Sequence, residues 1–352
     1  VESESTTDWL LNIIILSQYN YLVIQMDFVN YVAYIVIMLC FGLLYARFKR
    51  RIEQDDEIIE LQLINEYLMN SNNDIDNKKK PIIWIHSPTE RNSRKWSSFG
   101  SRTSVQMNQP YTDLAIQTIV SHCGDSFKIC LIDDNSFTKL IPDWDVSLAV
   151  SPDPIKSRLR NIGFAKLLHK YGGMFVPISF VCTSNLSEMY HEMITDVDLF
   201  VSEVPSHTIN GTGMSHESDE VFIGGKRGAQ IIEEYETYIS YMVSADVSAS
   251  SDFLGTINRW LSTQIGNGVV GLIPGQTIGT RDANGSEIIV DDLMSETFIH
   301  LHCTSCGILI PEKQLRMRTK FNWFCVLTPY ELMQSNVFAA KMLSIGLESI
   351  NI

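Results

Sequence analysis

Two adjacent carboxylates, Asp133 and Asp134, combine a residue type that does chemistry with a position that suits it, since they follow the apolar run Phe127–Ile132. Ligands of open α/β sheets gather at the carboxyl ends of strands, so the pair suits nucleotide recognition or a displaced metal site. The same residue types open turns and cap helices, here ahead of the segment NSFTKL, and the sequence favours that structural role. Lys156, Arg158 and Arg160 form a local basic group able to attract phosphates without a metal. The commoner role of such a cluster is a solvated helix face or a protein contact.

His300, His302, Cys303 and Cys306 lie in HLHCTSC. Ligands crowded this closely suit one tetrahedral ion badly and no second half-site accompanies them, so a strand end with buried thiols is expected. His169, close to the end of a helical pattern, suits the negative end of a helix dipole better than a general base. No Ser-His-Asp arrangement, phosphate loop or GxGxxG stands out.

The elements that must position these groups centre on Lys156–Val181, KSRLRNIGFAKLLHKYGGMFVPISFV. Ile155, Leu159, Ile162, Leu167 and Leu168 recur at helical spacing, and Tyr171-Gly172-Gly173 supplies a stop. Met174–Val181 then reads as an apolar strand interrupted by Pro177. Ahead of it, Ile82–His86 is a compact strand, Asp113–Cys123 a helix and Phe127–Ile132 a second strand. Strands are also expected at Val197–Val201, Val221–Ile223, Glu287–Val290 and Phe321–Leu327, with helices at Gln230–Val243, Phe253–Ile265 and Tyr330–Leu347. This alternation predicts an α/β domain with a largely parallel sheet over 81–352.

The helix, the Tyr-Gly-Gly turn and the apolar strand resemble the centre of the DXD-type glycosyltransferases, the yeast initiating-mannosyltransferase and capsular-polysaccharide type. That resemblance implies a GT-A-like fold, a mostly parallel sheet flanked by helices. In the family the helix carries an Asp and an Arg, and the strand ends in Asp-x-Asp, which grips the divalent metal of a nucleotide-sugar. Aligned on the glycine pair, those positions here are Asn161, Phe164, Pro177 and Ser179. A ring and a neutral hydroxyl cannot anchor a strongly hydrated cation. The resemblance therefore implies a degenerate member: no catalytic residues, no metal and no cofactor, with Asp133 and Asp134 the best surviving acids and the candidates for nucleotide binding. The alternative is an active transferase using a nucleotide-sugar without the DXD metal. A lectin-like glycan binder is a third reading.

The chain has 352 residues and a net charge of -14, which argues against a nucleic-acid partner. Its 7 cysteines are scattered, which suggests reduced thiols rather than a secreted disulfide framework. Phe28–Ala46, FVNYVAYIVIMLCFGLLYA, has the length and apolarity of a transmembrane helix. Residues 1–27 read as an interfacial segment, and 47–80 as a helical stalk and linker. Arg47, Lys49, Arg50 and Arg51 follow the apolar run while acids precede it, so the domain is expected to face the cytosol. The lipid bilayer and proteins of a larger assembly are the partners implied. The chain also resembles membrane-anchored glycosyltransferase-like proteins of large DNA viruses. That likeness implies a structural role as a minor capsid protein of the virion, bridging its internal membrane and capsid proteins.

Overall fold

A computed structural model describes residues 38–45, 47, 49, 62–69, 80–87, 109–151, 155–204, 217–244 and 250–348. The chain divides into two compact units, Val1–Leu63 and Ile64–Ile352. In the first, residues 38–45 are helical and their apolar side chains are exposed, Met38 at 74% and Leu43 at 72%. Among the described residues no helix is long and apolar enough to cross a membrane. Most of the expected span 28–46, and all of 1–27, lies outside them.

The second unit alternates strands and helices. In chain order they are β1 (Ile82–His86), α1 (Pro110–Cys123), β2 (Lys128–Ile132), α2 (Ser136–Leu140), α3 (Ile155–Tyr171), β3 (Gly173–Phe175), β4 (Phe180–Cys182), α4 (Ser187–Asp196), β5 (Leu199–Val204), β6 (Glu217–Gly225), α5 (Gln230–Ser244), α6 (Ser250–Gly266), β7 (Val270–Ile273), α7 (Val290–Leu293), β8 (Gly307–Leu309), α8 (Glu312–Met317), α9 (Asn322–Val326), α10 (Pro329–Gln334) and α11 (Phe338–Glu348). Among the described residues, six strands form one sheet in the order β2-β1-β3-β6-β5-β7. All of its neighbouring pairs are parallel except the two made by β6. The fold is thus α/β with a mostly parallel sheet; β4 and β8 make a small antiparallel pair beside it.

Helix α1 stands between two cores and has a buried face for each. Ile116, Ile119 and Cys123 join Ile83, Ile129, Met174 and Phe222 against the sheet. Tyr111, Leu114 and Ala115 pack with Phe324, Leu332, Phe338 and Leu343 of the C-terminal helices. Both sets keep the three- and four-residue spacing of one helix face.

The turn from α3 into β3 is fixed by glycine. Gly172 and Gly173 have φ of +71° and +95°, a region side chains with a Cβ avoid. A Cβ on Gly173 would stand 2.2 Å from the Ile82 carbonyl oxygen of β1. The Gly172 carbonyl accepts a hydrogen bond from the buried indole Nε1 of Trp84 at 3.0 Å. The turn is therefore pinned to the middle of β1.

Several expectations are corrected. The strand expected over Met174–Val181 is two strands: β3 stays in the main sheet, and a turn at Pro177–Phe180 sends β4 into the small pair. Phe321–Leu327 is not a strand, because Phe321, Phe324 and Cys325 are buried at helical spacing and form a short 3-10 turn and α9. Glu287–Val290 provides only a bridge from Glu287 to Arg281 before α7 begins. Tyr330–Leu347 is two helices. The first starts at a capping box in which Glu331 N donates to Thr328 Oγ1 and Thr328 N donates to Glu331 Oε2. The compact unit also starts earlier than Pro81. Leu68 bridges Cys130 and Met69 N donates to the Ile129 carbonyl at 2.9 Å, so the end of the expected stalk lies along β2.

Candidate functional site

The parallel strands β1, β2 and β3 end side by side. His86 and Ile132, the last residues of β1 and β2, are register partners, and Phe175 at the end of β3 pairs with Trp84. Asp133 and Asp134 come immediately after β2. Helix α3 presents Arg160 and Phe164, one turn apart, to this edge.

The two acids have different fates. The Arg160 guanidinium grips Asp134 with both prongs, Nε to Oδ1 at 2.8 Å and Nη2 to Oδ2 at 2.7 Å. His86 Nε2 lies 3.0 Å from the same Oδ1. The Asp134 and Arg160 side chains are only 10% and 11% exposed, so this is a largely desolvated, forked ion pair. Burial alone would raise the Asp134 carboxyl. The hydrogen bonds from His86 and Arg160, and their charges, outweigh it and hold the group far below the usual carboxylate range. Asp133 instead turns back on its own loop. Its Oδ1 accepts from Asn135 N, Ser136 N and Ser136 Oγ, the last two at 2.9 and 2.6 Å. Burial opposes these bonds, yet they too lower its carboxyl. Asp133 thereby organises the start of α2.

Next to the ion pair, rings pack at the crevice outside the carboxyl ends of β1, β2 and β3. Phe164 lies 4.3 Å from Phe175, centroid to centroid, and 5.2 Å from His86, edge-on. His86 in turn stacks on Phe137 at 5.7 Å, and Phe137 meets Trp144 at 5.3 Å. Aromatic contacts of this kind bury large areas and add about 0.5–1.5 kcal/mol per pair beyond the burial itself. Phe164 therefore serves as packing at the position where the family resemblance places an arginine. Asn161 is half-buried on α3. Pro177 and Ser179 lie in the turn between β3 and β4, Pro177 half-buried and Ser179 only 4% exposed. There the Pro177 carbonyl accepts from Phe180 N at 3.1 Å and the Ser179 carbonyl from Ile310 N at 3.2 Å. Neither residue offers an anionic ligand, so the two do not anchor a divalent metal.

Sequence reasoning missed a further acid at the same sheet edge. Glu203, near the carboxyl end of β5, is 6% exposed. It accepts from Arg281 Nε at 2.5 Å and from Gly275 N at 2.9 Å. The Thr280 hydroxyl donates to its carbonyl at 3.1 Å. Nothing local to either residue signals this pairing, because 78 positions separate Glu203 from Arg281. His86 and Arg160 were more accessible to foresight: one ends an apolar strand, the other precedes Phe164 by a helical turn.

The basic group is not the solvated face expected for it. Arg158 is buried at 7% exposure and Arg160 is committed to Asp134. Gly307 opens β8, so HLHCTSC precedes a strand instead of ending one. Cys303 is exposed, and the Cys306 thiol, half-buried, is raised by desolvation. His302 Nδ1 contacts the Thr304 hydroxyl at 2.8 Å. Among the described residues, no three His, Cys, Asp or Glu side chains are grouped to hold a metal ion. His169 lies in the last turn of α3, and its carbonyl accepts from Gly228 N.

No protein-family model matches the chain, and no curated protein does. Among solved structures it is similar to the apo-form glycosyltransferase GlyE of Streptococcus pneumoniae TIGR4, with 8% identity and a TM-score of 0.34, over 56% of this chain and 46% of that one. It is also similar to the galactosyltransferase LgtC in complex with donor and acceptor sugar analogues, with 10% identity and a TM-score of 0.31, over 55% of this chain and 74% of that one. The chain thus spans less than half of GlyE. At such TM-scores and identities, neither the fold nor the activity of those proteins is carried over to this chain.

Proposed function

We propose that this chain is a non-catalytic, membrane-anchored structural protein that uses a degenerate glycosyltransferase-like domain as a scaffold. The observation that carries this reading is the state of the crevice at the carboxyl edge of β1, β2 and β3. Asp134 is already paired with Arg160 and in contact with His86 of the same chain, and Phe164 packs beside them. A nucleotide diphosphate would have to break a desolvated ion pair to reach the Arg160 guanidinium. Fold does not dictate function, and a site stripped of its charges on a retained core is consistent with a changed role.

The wider reading keeps the anchor. The exposed apolar helix at residues 38–45 and the basic residues that follow it support a single membrane pass with the larger unit on the cytosolic side. A minor capsid protein that links a virion's internal membrane to capsid proteins has this layout. Its partners are then lipid and protein, not nucleic acid.

Calorimetric titration of the detergent-solubilised full chain with UDP- and GDP-sugars, with and without Mn²⁺, tests the non-catalytic part. We expect no saturable binding up to about 1 mM, the weak end of common substrate affinities. Micromolar binding that Asp134→Ala abolishes would instead restore the metal-free transferase.

A further inference from the structure

An open surface cavity of about 610 Å³ lies along α5, with Trp260 of α6 on one side, away from the crevice, and its lining has a distinct chemistry. Tyr238, Tyr241 and Trp260 supply aromatic surface, and Glu233 and Glu234 supply two carboxylates; among the described residues no Lys or Arg lines it. The Trp260 and Tyr238 rings stack at 5.5 Å with an interplanar angle of 20°. On another side Trp260 leans on the fully buried Tyr235 at 5.6 Å, which anchors this wall to the core. Tyr241 is 67% exposed. Gln230 Nε2 donates to Glu234 Oε1 at 2.9 Å and so orients that carboxylate without neutralising it. Glu236, on the same helix, is instead paired with Lys166 at 3.0 Å.

We propose that this cavity receives an arginine side chain from a basic segment of a protein partner. The negative faces of tyrosine and tryptophan attract cations, and carboxylates beside them add charge complementarity. Of the common cations, the guanidinium best matches both parts. It is flat enough to stack on a ring, weakly hydrated, and has a fork of donors that fits a carboxylate. A compact ammonium gains the charge attraction but neither the stacking nor the fork. A neutral sugar ring could stack, yet would leave the charge of Glu233 and Glu234 without a counterpart. The site lies outside the crevice and does not depend on whether that crevice binds nucleotides.

The test is calorimetric titration of the full chain with the peptide acetyl-Gly-Ser-Arg-Ser-Gly-amide and with versions carrying lysine, citrulline or trimethyl-lysine in place of arginine. The expected result is saturable binding of the arginine peptide in the millimolar range or tighter. The lysine peptide should bind more weakly, and citrulline, isosteric but neutral, should not bind. Tyr241→Ala should weaken arginine-peptide binding about five-fold. Glu233→Gln should weaken it by a similar factor and reduce its salt dependence. Both side chains are exposed, so the variants should keep the parent circular dichroism spectrum. Equal binding of the citrulline peptide, tighter binding of the trimethyl-lysine peptide, or no saturable binding of the arginine peptide would overturn the proposal. So would arginine-peptide binding that neither variant alters.

Discussion

Arg160→Met should lower the unfolding free energy by about 3–5 kcal/mol, the usual cost of leaving one member of a buried ion pair without its partner. The methionine keeps much of the apolar stem, so the loss comes mainly from the Asp134 carboxylate, still desolvated and deprived of its fork. Urea denaturation of the full chain in mild detergent measures it. The double variant Arg160→Met/Asp134→Leu should recover most of the loss, because an apolar pair of similar volume removes both desolvation costs. The pH dependence has a definite sign. The Asp134 carboxyl is held lower in the folded chain than its unfolded value near 4, so on acidification the unfolded chain takes up the proton first. The stabilisation from Asp134 is therefore complete above about pH 5 and is lost as the pH falls below about 4. In Arg160→Met this acid-side loss should shrink. A variant as stable as the parent at pH 7 would show that the pair is exposed and incidental.

Gly173→Ala should also be severe, at about 3 kcal/mol or more, because two penalties combine. The backbone at +95° is unfavourable for alanine, and the new methyl would stand 2.2 Å from a carbonyl oxygen of β1. The atom it meets is main chain, not the tip of a flexible side chain, so relief requires β1 and β3 to separate. That movement would reach the crevice, since Trp84 and Phe175 are register partners and the two rings stack 6.3 Å apart. Thermal unfolding followed by circular dichroism provides the measurement. Gly228→Ala is the control: φ there is also positive, at +71°, but the added Cβ meets nothing within 4 Å. Its smaller loss isolates the backbone part of the effect. If the two variants lose the same stability, the clash with β1 contributes nothing.

The sheet was legible in the sequence where local pattern and tertiary role agree. Ile82–His86 is a strand within the stated bounds, and the helix before Tyr171-Gly172-Gly173 ends at Tyr171. The glycine pair fixes both the end of that helix and the start of β3. Phe321–Leu327 misled because its aromatic run lacks a clear period until Trp323 and Val326 are known to face outward. Residues 174–181 misled because Pro177 marks a change of sheet, which composition alone does not distinguish from an edge strand. At the site, the uncharged residues at 161, 164, 177 and 179, which the resemblance sets against charged family positions, were readable from residue types alone. The ion-pair network beside them was not. His86, Asp134 and Arg160 meet only because β1, β2 and α3 converge, and no local spacing records that. The arginine that disarms Asp134 was in view, but as a phosphate-attracting or solvated group.

These placements give the crevice its physical character: the remaining charges are satisfied internally and the space next to them is packed with rings. Electron paramagnetic resonance of Mn²⁺ tests this most directly, because the free aquated ion gives a strong signal that protein binding removes. With the full chain, Mn²⁺ and UDP together, we predict the same signal as for Mn²⁺ and UDP without protein. An additional bound ion, close to one per chain and lost in Asp134→Ala, would contradict the account.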